Sequence, residues 1–424
     1  MMRTSILLLA LGVLPVLAGE LEGVLLKGRT DRENPVGYAV GEKITFTLSF
    51  ERWPAAVTNA YTVEWKRTGD DGKTESGSFA ADPSRPFVYT TSMDRPGFMR
   101  LEASVKGEKN LMFDGGACAA VDSLSQGVPE PDDFDAFWAR QRKRLDIVPP
   151  RVERTEIDVS NAAFRVYAVR IDCAGPRPVT GYLSMPRDAG LGKHYPAQIR
   201  YQGYGTNIQK PPKGGTPGFV LFEVNAHGYE LGRDAVYYKD FLDGIRTPGY
   251  SYAFSPYQNE NPEGSYFCGM ALRAIRAAEY LASLPEWDGK TYWIVGNSQG
   301  GLQAIWAAAM AKGPTVAYPG ITWLCDLGGF KAGRVQAQWH IPYVEALGYF
   351  DAVNHAKRAK VPVRISRAGL GDYTSPPSTL AVLYNALPLP KSITWVQGSQ
   401  HMYVPPKPNQ SFTVSAEGKK EKSK

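Results

Sequence analysis

Apolar and polar positions change rhythm once along this chain, from period two to a mixture of two and 3.6. From Gly23 to about Val121 the rhythm is strand-like. Glu42–Phe50, Ala60–Lys66 and Gly97–Val105 each alternate as half-buried strands do. Gly69-Asp70-Asp71-Gly72 and Asp94-Arg95-Pro96-Gly97 supply turn chemistry. Short alternating strands without a helical period predict an immunoglobulin-like β-sandwich over residues 19–122. A Ser-, Gly- and Pro-containing linker, 123–131, follows. It ends in an acidic helix start whose Phe134, Phe137 and Trp138 predict packing onto the next unit.

Beyond Pro149 strands and helices alternate. Phe164–Ile171, Val179–Met185, Ala197–Tyr204 and Gly218–Asn225 read as strands. Cys268–Leu284 reads as an amphipathic helix with Cys268, Leu272, Ile275, Ala278 and Ala282 on one stripe, and Arg273, Arg276 and Glu279 off it. After a strand at Tyr292–Gly296 and a helix at Leu302–Ala309 come a strand at Ile321–Cys325 and a helical, aromatic-rich insertion over Lys331–Ala359. Strand Val361–Ser366, helix Ser378–Leu387 and strand Ser392–Val396 close the pattern. This alternation over residues 132–412 predicts an α/β-hydrolase sheet. Residues 413–424 read as a disordered basic tail.

Arg3, the apolar run Ile6–Leu17 and the small residues ending at Ala18 predict a cleaved signal peptide, 1–18. Glu20 stands where a lipoprotein box would need cysteine, so export without a lipid anchor is expected, to the periplasm or the medium. No later stretch has the ~18 apolar residues of a membrane span. Loss of Arg3 with the leader takes the formal charge from +6 to +5. Outside the final tail no dense basic block exists, which argues against a nucleic-acid partner. Cys118, Cys173, Cys268 and Cys325 lack C-x-x-C spacing, so neither a metal site nor a redox motif is expected. They read as small buried hydrophobes, with one disulfide left open.

The chemistry concentrates where the predicted strand Tyr292–Gly296 meets the helix after it. Gly296-Asn297-Ser298-Gln299-Gly300-Gly301 has the Gly-x-Ser-x-Gly core of a nucleophile elbow. With 43 glycines in 424 residues, the pentapeptide alone would arise by chance in roughly one such chain in four. The strand before it and the helix after it carry the reading. A serine hydroxyl needs a general base, and the base an orienting acid. In this fold the chain order is serine, acid, histidine. Of five histidines, His401 follows the last predicted strand, in Gly398-Ser399-Gln400-His401-Met402, and is the candidate base. Asp372, in the loop after Val361–Ser366, is the candidate acid, and Asp326 its competitor.

With these residues placed, the chain resembles the acetyl xylan esterase and cephalosporin-C deacetylase family, carbohydrate esterase family seven, over roughly Pro131 to His401. The likeness rests on Asp133-Phe134-Asp135-Ala136-Phe137-Trp138, the elbow Ser298-Gln299-Gly300-Gly301, the helix Gly348–Arg358 and the loop Gly371–Thr379. It implies a metal- and cofactor-free serine esterase acting on acetylated carbohydrate through Ser298, Asp372 and His401. The oxyanion donors implied are the backbone N–H groups of Gln299 and Tyr204. Tyr204, Tyr229, Trp339 and Tyr343 are bulky enough to close a small acyl pocket. A homo-oligomer stays open. The chain departs from the family at Gln202, at Asn225-Ala226-His227 in place of Arg-Gly-Gln, and at Met402 in place of glutamate. A broad carboxylesterase on the same fold is the rival reading, and a non-catalytic glycan-binding protein the remote one.

Overall fold

The computed structural model describes residues 20–108 and 110–417; the expected leader and residues 418–424 lie outside them. Seven strands come first: β1 (Leu25–Thr30), β2 (Lys43–Glu51), β3 (Thr62–Gly69), β4 (Glu75–Ala80), β5 (Phe87–Ser92), β6 (Gly97–Val105) and β7 (Met112–Ala119). They form two antiparallel sheets, ordered β1-β2-β5 and β4-β3-β6-β7. The period-two pattern is visible in β2, where Ile44, Phe46 and Leu48 are buried while Lys43 and Glu51 are exposed.

The second region comprises α1 (Phe134–Ile147), β8 (Val152–Ile157), β9 (Phe164–Ile171), β10 (Val179–Pro186), β11 (Tyr195–Tyr201), β12 (Val220–Val224), α2 (Ala235–Gly244), α3 (Pro256–Asn259) and α4 (Tyr266–Ala282). It continues through β13 (Trp287–Asn297), α5 (Gln299–Met310), β14 (Val316–Gly320), α6 (Ala352–Ala356), β15 (Val363–Gly369), α7 (Pro377–Ala386), β16 (Lys391–Val396) and β17 (Ser411–Ala416). One sheet holds ten strands, in the order β17-β16-β15-β14-β13-β11-β12-β10-β9-β8. From β12 to β16 neighbouring strands run parallel, with antiparallel strands at both edges. β13 lies centrally because Tyr292 and Ile294 are buried, and α4 and α5 pack against it and its neighbours.

Several expectations are corrected. Residues 321–325 are not a strand. The strand ends at Gly320, and positive φ at Ile321 and Leu324 breaks the pleat, so these apolar residues are buried in a loop. The insertion over Lys331–Ala359 is mostly irregular, with short 3₁₀ turns at Gly329–Ala332 and Glu345–Tyr349 before α6; Gly333 (φ 79°) and Pro342 break the helical pattern. The tail does not begin at 413, because β17 pairs antiparallel with β16 through Ala416. Arg273 and Arg276, predicted off the apolar stripe of α4, are both buried, their guanidiniums donating to backbone carbonyls.

The linker is packed down. Leu124 is buried in the core of the second region, Gly127 N–H donates to Asp326 (2.8 Å), and Gln126 donates to Asn354 (2.7 Å). All four cysteines are free thiols. Among the described residues no helix is long and apolar enough to cross a membrane.

Candidate active site

The turn between β13 and α5 places Ser298 at φ 56°, ψ −121°, a conformation that non-glycine residues rarely adopt. Gly296, Gly300 and Gly301 allow it because they have no side chains. A Cβ on Gly296 would collide with the Gly300 backbone, and one on Gly300 with the Tyr201 carbonyl; on Gly301 it would lie 2.9 Å from Thr322 Oγ1. Ser298 N–H donates to Gly320 O (3.0 Å), and its carbonyl accepts from Leu302 and Trp323. The hydroxyl is thereby held at the N-terminal end of α5, where the helix dipole favours negative charge.

His401 Nε2 lies 2.9 Å from Ser298 Oγ. Its Nδ1 lies 2.9 Å from Asp372 Oδ2 and 3.2 Å from Oδ1. The loops after β15 and β16 bring the two together across 29 residues. Asp372 is fully buried, and its Oδ1 accepts from the N–H groups of Thr374 and Ser375, both at 3.0 Å, which fixes the carboxylate plane. Arg367 donates to the His401 carbonyl (3.1 Å) and holds that loop from below. Such a chain lets the imidazole take a proton from the hydroxyl while the carboxylate fixes its tautomer.

Asp326, the competing acid, is elsewhere. Its Oδ2 accepts from Arg334 Nε (2.7 Å) and its Oδ1 from Gly127 N–H, so it ties the linker to the insertion and makes no bond to His401.

Of the oxyanion donors implied by the resemblance, Gln299 follows Ser298 in the chain and Tyr204 lines the same cleft. Gln299 opens α5, where a first-turn N–H has no intrahelical partner. The Tyr204 N–H donates to no protein acceptor among the described residues. The turn carrying Tyr204 is braced from behind. Gln303 donates to Gln202 O (3.0 Å), Tyr252 donates to the Gln299 side chain (2.7 Å) and accepts from Gly205 N–H (3.1 Å), and the Tyr204 ring stacks on Tyr252 at 4.0 Å. His227 Nε2 contacts Gly205 O (3.2 Å) and its Nδ1 the Tyr266 hydroxyl (2.8 Å). Burial pushes the His227 pKa down to about 3 and that of the Tyr204 phenol up to about 12.

A cleft of about 870 Å³ opens over Ser298 and His401, with Tyr204, Trp339, Asn207 and Met402 among its walls. The four predicted aromatics part company here. Tyr204 and Trp339 line the cleft, edge to face with ring centroids 4.6 Å apart. Tyr229 is fully buried behind the turn, its hydroxyl donating to Gln202 (3.2 Å). Tyr343 packs on Phe330 and beneath Lys331, outside the cleft. Sequence reasoning gave no role to Arg367, Tyr252 or His227; His227 marks the departure at Asn225-Ala226-His227, whereas Arg367 and Tyr252 lie in no motif.

It also missed the N-terminal residues that support this site. The Arg100 guanidinium lies 4.2 Å over the Tyr373 ring and forks onto Asp114 (2.9 and 2.6 Å). Gln397, at the end of β16, exchanges two hydrogen bonds with the Gly116 backbone (3.1 and 2.6 Å). Gly371, beside Asp372, lies so close to the Asp114 carbonyl that a Cβ would collide with it. No cluster of three or more His, Cys, Asp or Glu suited to a metal occurs among the described residues.

Residues 122–414 match the family model for acetyl xylan esterase (AXE1). The acetyl esterase Axe7A of Xylanibacter ruminicola is 27% identical over 378 residues, covering 84% of this chain and 82% of that protein. That share exceeds the family match, so the likeness reaches into the N-terminal sheets. Among solved structures, an acetyl xylan esterase from Paenibacillus sp. R4 superposes with a TM-score of 0.55 at 22% identity, over 67% of this chain and 94% of the other. Acetyl xylan esterase 1 from Thermoanaerobacterium sp. JW/SL YS485 gives 0.55 at 20% identity, over 67% and 93%. The fold of the second region is that of the α/β-hydrolases. The chain is a carboxylic-ester hydrolase and belongs to the acetyl xylan esterase family.

Proposed function

We propose that this protein is an exported serine esterase that removes acetyl groups from acetylated carbohydrate. The observation that carries the reading is the hydrogen-bonded chain from Ser298 Oγ through His401 to Asp372, begun at a strained elbow. Ser298 attacks the ester carbonyl as His401 takes its proton, and the N–H groups of Gln299 and Tyr204 receive the oxyanion. His401 then protonates the departing sugar hydroxyl, leaving an acetyl-enzyme. Water, activated by the same imidazole, releases acetate. Asp372 orients the ring throughout.

The acetyl preference is supported by Trp339 standing edge-on to Tyr204 at the cleft wall, where a longer chain would meet rings. Steric exclusion of this kind discriminates more strongly than added contact, which gains only ~1–3 kcal/mol per methylene. The apolar run ending at Ala18 supports export. Seven antiparallel strands divided three and four support an immunoglobulin-like sandwich for the N-terminal sheets.

A fluorophosphonate probe on the full chain should label Ser298, as located by peptide mass mapping. Specificity constants for 4-nitrophenyl esters should peak at acetate, and acetylated xylan should release acetate. A maximum at hexanoate or octanoate would instead favour the broad carboxylesterase, and absence of labelling would remove the serine mechanism.

A further inference from the structure

Helix α4 runs behind the turn that carries Tyr204, and its two buried arginines have different fates. Arg276 donates from Nη2 to the carbonyls of Leu145 (2.6 Å) and Val148 (2.7 Å) at the C-terminal end of α1. Arg273 is only 1% exposed, and its Nε donates to Ala226 O (2.9 Å). Among the described residues its two terminal nitrogens, Nη1 and Nη2, have no hydrogen-bond acceptor and no ion-pair partner. Arg273 lines a second cavity of about 420 Å³ that shares no lining residue with the Ser298 cleft.

This cavity is basic from mouth to floor. Arg144 and Arg246 stand exposed at its rim, Arg177 is half-buried in its wall, and Arg273 forms the floor. Arg246 is paired with Asp243 (3.1 Å). Among the described residues Arg144 has the neutral Gln141 as partner (2.6 Å) and no carboxylate, and Arg177 lies over the rings of Tyr266 (5.1 Å) and Phe241 (5.5 Å) without an ion pair. Glu263 is the acidic lining residue, held by Gln141 (3.2 Å) and facing Arg140 (3.9 Å). Gly269 keeps the floor open, since a Cβ there would stand 3.3 Å from Arg273 Nη1. Burial lowers the Arg273 pKa, and the like charge of Arg177 adds to the effect.

A guanidinium sealed from water without a counter-charge is costly, and a planar fork matches an oxyanion in a two-point contact. We infer that this cavity is an anion-binding site, in which Arg273 Nη1 and Nη2 grip a carboxylate or phosphate and Arg177 closes over it. The wall residue Tyr266 also bonds His227, which reaches the Gly205 carbonyl, so the occupant would touch the bracing of the Tyr204 turn. An acidic sugar and a free inorganic oxyanion both offer this chemistry.

Calorimetric titration of the full chain with inorganic phosphate, with D-glucuronate and with glucose, in an oxyanion-free buffer, tests it. One saturable site for at least one anion is expected, with no heat from glucose and weakening as sodium chloride rises. Tighter binding of glucuronate identifies an acidic sugar; tighter binding of phosphate identifies an inorganic oxyanion. Arg273→Met should weaken binding at least tenfold. Arg177→Gln, in the half-buried wall, should weaken it at least threefold and decides the matter even if the first variant fails to fold. Absence of saturable binding by both anions, or an affinity unchanged in Arg177→Gln, overturns the assignment.

Discussion

The two halves of the Ser298–His401–Asp372 chain are held in place in opposite ways. The serine half is local. Gly296, Ser298, Gly300 and Gly301 fall within six residues, and their tight backbone packing fixes the hydroxyl with bonds to the adjacent β14. The aspartate and histidine half is remote. The Asp372 and His401 loops rest on the N-terminal sheets through Gly371 against Asp114, Tyr373 under Arg100, and Gln397 on Gly116. Phe98 adds an aromatic contact to Trp395 (5.3 Å), and Asp70 accepts from Val335 N–H (2.7 Å) in the insertion that carries Trp339. A region set apart in the sequence by a linker is therefore part of the wall behind the site. Local strain sets the Ser298 hydroxyl, but the orientation of Asp372 and His401 depends on contacts made across the whole fold.

The largest expected effect lies in the local half. Ser298→Ala should lower kcat for an acetyl ester by about 10⁴ to 10⁶ with an unchanged circular dichroism spectrum. More than a tenth of wild-type turnover would move the nucleophile elsewhere.

In the remote half, Asp372→Asn should lower kcat by about 10⁴, because the amide favours the wrong imidazole tautomer. Asp326→Asn should act on stability instead. It leaves Arg334, whose side chain is 8% exposed, without its partner, a loss of about 3–5 kcal/mol in urea unfolding. The reverse ranking in turnover would exchange the two aspartates.

Removing residues 20–122 sharpens the comparison most directly. It uncovers Trp395 and frees the Gln397 and Gly371 contacts, so kcat/KM should fall by about 10² or more if the remainder stays soluble, since small misplacements of reacting groups cost that much. Arg100→Met should lose about tenfold in kcat with KM little changed. Full activity in the truncated chain would show the site to be self-supporting.

The smallest effect is on acid stability, through the bracing of the local half. His227 is neutral in the folded chain down to a pH of about 3, whereas the unfolded chain takes up the proton below 6.5. Its contribution is intact above pH 6.5 and is lost as pH falls toward 3, at about 1.4 kcal/mol per pH unit. His355, also lowered to about 3 by burial, adds a parallel slope. His227→Gln should therefore flatten, without abolishing, the fall in unfolding free energy between pH 6.5 and 4.5, followed by urea titration.

The sequence by itself determined the features whose cause is short-range. Period two in β2 and β6, the strand-turn-helix around Ser298, and the loops holding Asp372 and His401 all follow from side-chain alternation and from glycines that backbone geometry demands. Tertiary structure decided what depends on which surfaces meet. Tyr229 and Tyr343 are as bulky as Tyr204, yet only the rings that fold onto the cleft can line it. The Ile321–Cys325 run is apolar enough for a strand, but positive φ makes it a buried loop. The linker looked free because its Ser, Gly and Pro content says nothing of Asp326 and Asn354, some 200 residues on, that hold it. Arg273 falls off the apolar stripe yet is buried, because helical periodicity assigns a side without saying what lies beyond it. Local steric rules act along the chain and can be read there; packing, charge pairing and burial are set by neighbours hundreds of residues away, and appear only once the chain has folded.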